Sequence, residues 1–261
     1  MINTLRAEFI KLRTILAHWV LASIAFVFPI VVVALVALFS PSDAGFDSDE
    51  ISGLIVGLTV VSAMLLGAMS AISVTSDYGH NTIRPTYAAT PSRLRVIAAR
   101  VVVNGVVVAV VTAIAVFMAW FVGSAILSAR DFSISIGDDG VVPSLISVIV
   151  LAASVTLFAI GLGLIIRNSP ATVTLLLLWP LLIEGLLALV LDLIGWDDAG
   201  KWMPYQAAID AAANGGGADG GTSGGGATID TLGRPMGLVY FAAVSTALIV
   251  IGSVLDRRRD A

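Results

Sequence analysis

Six long apolar stretches divide this chain of 261 residues, running roughly His18 to Phe39, Ile51 to Thr75, Val96 to Leu127, Pro143 to Ile166, Ala171 to Ile194 and Met236 to Leu255. Each is long enough to cross ~30 Å of hydrocarbon at ~1.5 Å per helical residue. The first holds 14 Leu, Ile, Val or Phe residues. At ~0.4 kcal/mol each they favour the bilayer by about 6 kcal/mol, which Pro29 does not overturn. The expected fold is an all-α integral membrane protein with six transmembrane helices in one domain.

The loops between the stretches alternate in charge. Of 14 Lys and Arg, 11 fall on one side (Arg6, Lys11, Arg13, Arg84, Arg93, Arg95, Arg100, Arg167, Arg257, Arg258, Arg259) and three, Arg130, Lys201 and Arg234, on the other. The positive-inside rule makes the first side cytoplasmic, and an even number of spans puts both termini there. Thirteen of the 18 acids face outward, so the net charge of −4 describes no single surface and argues neither for nor against nucleic-acid binding; no nucleic-acid partner is expected. With no cysteine there is neither a disulfide framework nor a thiolate metal site. Arg outnumbers Lys twelve to two in an Ala- and Val-rich chain, which suggests a GC-rich bacterial genome and hence the inner (plasma) membrane of a bacterium. The first apolar run is longer than a signal-peptide core and is expected to stay as an anchor.

Residues 1–17 place Ile2, Leu5, Phe9, Leu12 and Leu16 at spacings of three and four among Arg6, Glu8, Lys11 and Arg13, an amphipathic helix expected in the inner interface with Trp19 at headgroup level. Gly53 and Gly57, then Ala63, Gly67 and Ala71, form a small-residue ridge on the second span; Gly105, Ala109 and Ala113 repeat it on the third. Such ridges let helices approach closely, here within the bundle. The outer segment, 195–235, contains a short helix predicted from Trp202 to Ala213, with Pro204 in its first turn and Gly215 just past its end. Trp196, Trp202 and Tyr205 are expected to anchor it at the outer interface. The eight glycines between Gly215 and Gly226 read as a flexible linker, since no lysine or G-x-x-x-x-G-K-S/T pattern accompanies them.

Two places carry candidate function. The cytosolic loop 76–95 mixes Tyr, Ile, Arg and Asp, which suits either a protein contact surface or an ordinary positive-inside connector; Thr90 and Pro91 start the third span well. Glu184 is the one ionisable residue well inside an apolar run, at a cost of ~3 kcal/mol that the 15 Leu, Ile and Val of its span outweigh. Pro180, one turn earlier, kinks the span beside Trp179 and frees backbone polar groups. Glu184 therefore serves either as a structural hydrogen-bonding group or as a residue lining or gating a transport path. Enzyme readings lack their residues: His18 lies at a span's edge, His80 lies in the loop, and no second intramembrane carboxylate stands near Glu184. No catalytic site is expected, and none for a metal or cofactor.

The stretch Asp77-Tyr78-x-x-x-Thr82-Ile83-Arg84, followed by Ala-Thr90-Pro91-Ser-Arg93, resembles the loop between spans two and three of type-2 ATP-binding-cassette (ABC) transporter permeases. Glu8-Phe-x-Lys-Leu-Arg13 resembles that family's elbow helix. Leu-Leu-Trp179-Pro180-Leu-Leu-Ile-Glu184 with Lys201-Trp-Met-Pro204-Tyr is similar to the fifth span and outer segment of actinobacterial-type members. Pro85, directly after Arg84, departs from the pattern and breaks a continuous coupling helix there. The resemblance implies the membrane half of an exporter: two permease chains, identical or related, each engaging a separate cytosolic ABC ATPase subunit that binds the ATP and Mg. It implies that Glu8, Arg13 and the loop from Asp77 to Arg95 form the mechanical contact. Arg84, Arg93 and Arg95 suit pairing with acids on the ATPase, and Tyr78 and Ile83 suit apolar anchoring. An apolar cavity would take a hydrophobic or amphipathic substrate. Two rival readings are a proton-coupled secondary transporter using Glu184 and a membrane anchor or sensor that recruits an ATPase but moves nothing.

Overall fold

The computed structural model describes residues 2–41, 46–79, 92–196, 199–213, 221–222, 228–229 and 232–259. Eight helices dominate it: α1 Ile2–Thr14, α2 Leu16–Phe39, α3 Ser48–Gly79, α4 Arg93–Ser128, α5 Val141–Ile166, α6 Ser169–Leu193, α7 Pro204–Ala213 and α8 Arg234–Arg259. Six of them, α2 to α6 and α8, are long and apolar enough to cross a membrane. Most begin about half a turn to one turn before the apolar runs do, because polar residues such as Asp49 and Glu50 occupy the first turn of α3. The other regular elements are a 3-10 turn, Ala199–Trp202, and a two-residue antiparallel pair, Gly221–Thr222 with Thr228–Ile229.

The amphipathic N-terminal helix forms but is shorter than its pattern, since Ile15 adopts an extended backbone (φ −90°, ψ 118°) that separates α1 from α2. At the other end of α2, Arg130, just beyond α4, donates to the carbonyls of Ala37 and Ser40. Those are carbonyls a helix C-terminus leaves without intrahelical donors, so Arg130 ties the far ends of α2 and α4 together. Asn168 caps α6, accepting from the Ala171 amide at 3.0 Å, with Pro170 in the first turn.

α3 and α5 are the central pair, with 61% and 67% of their apolar windows buried, against 11% for α6. α5 packs on α3 along one side and on α8 along the other, while α2 lies on α3 and α4. Small residues decide where backbones come closest. A methyl group placed on Gly161 would lie 2.7 Å from Leu248 Cβ, and one on Gly252 would lie 2.7 Å from Leu164 Cβ, so α5 and α8 meet through these two glycines. Gly67 packs likewise against Val155 and Leu176. The expectation of a packed ridge fails at Gly53, Gly57 and Gly105, where nothing among the described residues lies within 4 Å of an added methyl. Spacing along one helix marks a smooth stripe, but the bundle decides which stripe is covered.

α1 and the last turns of α8 lie at one end of the bundle. Lys11 of α1 reaches Asp77, while Asp256 near the end of α8 reaches Tyr78, the next residue on α3. At the opposite end, α7 packs against both α5 and α8.

Candidate functional site

At the terminal end, two charged clusters meet on the last turn of α3. In the first, the guanidinium of Arg100 on α4 donates through Nε to Glu8 Oε1 at 3.1 Å and through Nη2 to Asp77 Oδ2. Lys11 Nζ donates to Asp77 Oδ1 at 2.7 Å and to the Ser73 carbonyl at 2.5 Å. Two cations and two carboxylates thus knit α1 to α3 and α4 with no net charge among them. Glu8, Asp77 and Arg100 are all buried, so pairing is what makes their burial tolerable. Burial, together with nearby Arg100, pushes the Lys11 ammonium below its ordinary range, and Asp77 opposes that shift.

In the second cluster the Tyr78 hydroxyl donates to Asp256 Oδ1 at 2.7 Å, and Arg167 Nη2 donates to the same oxygen at 2.7 Å. Arg93 Nη1 donates to the Asp256 carbonyl at 3.0 Å. The Arg167 guanidinium also stacks 4.9 Å from the centre of the Tyr78 ring, a cation–π contact. Arg167 caps α5 in the left-handed region (φ 58°), which turns its side chain toward α8. This cluster joins α3, α4, α5 and α8 around one fully buried carboxylate.

Of the residues singled out in the sequence, Glu8, Asp77, Tyr78 and Arg93 are therefore brought together, with the carboxylates of Glu8 and Asp77 buried in ion pairs. Arg13 and Arg95 are exposed. Thr82, Ile83 and Arg84, with His80, Pro85, Thr90 and Pro91, lie outside the described residues. Sequence reasoning missed Arg100, Arg167 and Asp256 as members of these clusters. Arg100 lies seven residues after Arg93, two turns along one helix face, and that spacing was the available signal. Nothing in the sequence marked Asp256, which stands beside an arginine triplet that draws attention to charge of the opposite sign.

At the opposite end, α6 is broken by a π-turn, Trp179–Ile183, in which the Glu184 amide bonds to the Trp179 carbonyl five residues back. Pro180 has no amide to donate, and the wider turn absorbs the defect. It also brings the Trp179 indole beside Glu184, where Nε1 donates to Oε1 at 2.8 Å. The same carboxyl accepts from the backbone amides of Tyr205 (2.9 Å to Oε1, 3.1 Å to Oε2) and Gln206 (2.9 Å to Oε2). These are amides in the first turn of α7, which no intrahelical carbonyl can satisfy, so Glu184 caps α7 from another helix. Four rings cover the site: Trp179, Phe158, Phe241 and Tyr205 follow one another with centroids 5.4, 5.6 and 5.2 Å apart. Tyr205 is fully buried there, which corrects its expected role as an outer anchor; burial pushes its phenol well above the ordinary range. Trp196 and Trp202 do remain half exposed, and Tyr240 Oη donates to the Trp202 carbonyl at 3.0 Å.

Six helices of this length and apolarity fit a multi-pass membrane protein. No family model, curated protein or solved structure matches the chain.

Proposed function

We propose that this chain is the transmembrane permease subunit of an ATP-driven exporter of the ABC type, paired with a second permease chain and a separate cytosolic ATPase, in a bacterial inner membrane with both termini in the cytosol. The observation that carries the reading is the double junction at Asp77 and Tyr78. Immediately before the loop with the coupling-like pattern, these two residues fasten α3 to α1 and α4 on one side and to α5 and α8 on the other. A force applied at the loop would reach five helices through buried ion pairs, which suits a chain that converts an ATPase's closure into movement of spans. α1, amphipathic and bonded into the same junction, suits the role of a second contact. Glu184, with both oxygens taken by donors from α6 and α7, suits a positioning role in the outer half better than a proton carrier's.

The test is affinity purification of the tagged chain from its native membrane in mild detergent, with mass spectrometry of what accompanies it. A Walker-motif ATPase at near one-to-one stoichiometry is expected. Its reproducible absence would overturn this reading and return weight to a secondary transporter or a membrane anchor.

A further inference from the structure

Two cavities of about 400 and 410 Å³ lie side by side under α1, sharing Phe9 and Val107 as their common wall. The first opens between α1, α2, α3 and α4, the second between α1 and α4. Their linings are apolar except for three cationic or titratable side chains: Arg13 and His18 on the first and Arg6 on the second. Arg6 and Arg13 stand seven residues apart on α1, hence on one side of it about 10 Å apart. Both are exposed at the rim.

His18 is the unusual member. It is 2% exposed, in the first turn of α2, with the Leu12 backbone against its ring, so that at least one buried ring nitrogen has no hydrogen-bond partner among the described residues. A buried polar group without a partner costs free energy, which a ligand entering the cavity with an acceptor or donor would recover. The Trp19 indole meanwhile donates to the Arg13 carbonyl at 2.8 Å, holding the α1–α2 corner over the cavity.

We propose that the paired cavities are a binding site for one two-chain anionic phospholipid of the leaflet at this end, with an acyl chain in each cavity across Phe9 and Val107, its phosphate between Arg13 and Arg6, and His18 hydrogen-bonded to its headgroup or glycerol-ester oxygens. Charge complementarity selects the occupant. Apolar cavities with a cationic rim match an acyl tail beneath a phosphate, and the rim lies on an amphipathic helix of the kind that sits at headgroup depth. The bound lipid would brace α1, whose other face carries Glu8 and Lys11 into the Asp77–Arg100 cluster. This inference rests on the chain spanning a bilayer and not on the exporter reading.

The test uses the full chain in nanodiscs of equimolar phosphatidylglycerol and phosphatidylcholine, released into mild detergent and weighed by native mass spectrometry. Expected is one phospholipid per chain, with phosphatidylglycerol retained about tenfold over phosphatidylcholine, the scale of a charge-assisted phosphate contact. Ala22→Phe and Val111→Phe, which fill the first cavity from different helices, are expected to lose the lipid. His18→Leu is expected to weaken retention. Arg13→Gln, at an exposed position, is expected to keep a lipid and lose the preference for phosphatidylglycerol. Retention without class preference, a preference unchanged in Arg13→Gln, or undiminished retention in whichever cavity-filling variant folds would overturn the proposal, as would a non-lipid molecule in the lipid's place.

Discussion

The hydroxyl of Tyr78 donates to the carboxylate of Asp256 at 2.7 Å across 178 positions of sequence, while the preceding residue, Asp77, turns to Lys11 and Arg100. Adjacent side chains on a helix point about 100° apart, so one acid–tyrosine step can feed two clusters on different sides of α3. The first to be disturbed identifies which helices each cluster holds. Arg100→Gln strands Glu8 in a buried setting and leaves Asp77 with Lys11 alone, and is expected to cost roughly 3 to 5 kcal/mol, whereas Tyr78→Phe removes one hydrogen bond and costs about 1 kcal/mol. Thermal unfolding followed by tryptophan fluorescence in a single detergent would rank them. Adding Glu8→Gln to Arg100→Gln should recover part of the loss, because it removes the stranded charge.

Replacing Glu184 by Gln should leave insertion intact and loosen α7. The carboxamide keeps one acceptor, but its amino group then faces N–H donors of Trp179, Tyr205 or Gln206, at a cost of about 1 to 3 kcal/mol. Limited proteolysis of the segment 195–235 is the direct readout, and faster cleavage is expected. Cleavage at the native rate would show that Glu184 does not hold this helix.

The glycines divide into two groups with opposite expectations. Gly161→Ala and Gly252→Ala push a methyl into α8 and α5 and are expected to lower stability by about 1 to 3 kcal/mol. Gly57→Ala and Gly105→Ala add a methyl to open space and are expected to be neutral or to stabilise by up to about 1 kcal/mol through helix propensity. A common melting assay on the four variants checks both.

Asp210, on α7 and outside the spans, gives a pH dependence. Burial raises its carboxyl above the usual range, and the Gln206 side-chain hydrogen bond at 3.0 Å opposes that rise. A raised folded-state pKa adds stability that is fully present below the unfolded value and lost as pH rises through the folded value. Asp210→Asn is therefore expected to melt higher than the native chain at neutral pH, with the difference closing toward pH ~4. A melting-temperature series over that range would show whether the two curves converge.

Charge reversal at Arg84 bears on the proposed partner. Arg84→Glu is expected to reduce co-purification of the ATPase severalfold while membrane abundance stays unchanged, since surface charges at an interface act on association more than on folding. Native-strength recovery of the ATPase would remove this loop from the contact.

Much of the architecture was legible in the sequence because a helix crossing lipid satisfies its own backbone, so length and apolarity settle each span locally. The six long apolar helices were determined this way, while α1 was legible in the spacing of its apolar residues and the short α7 in Pro204 at its start. The charged clusters were not, because pairing is a property of neighbours. Arg100 meets Glu8 across 92 positions, and Asp256 meets Arg167 across 89. Gly67 and Gly57 sit on the same helix with similar small-residue spacing, yet one is packed against α5 and α6 while the other faces open space. Glu184 shows the division within one residue. Composition marked it as an acid that an apolar span would hold only at a cost, and the tertiary structure decided that its oxygens cap α7, because the π-turn at Trp179 and the packing of α7 beside it bring donors from two helices to one point.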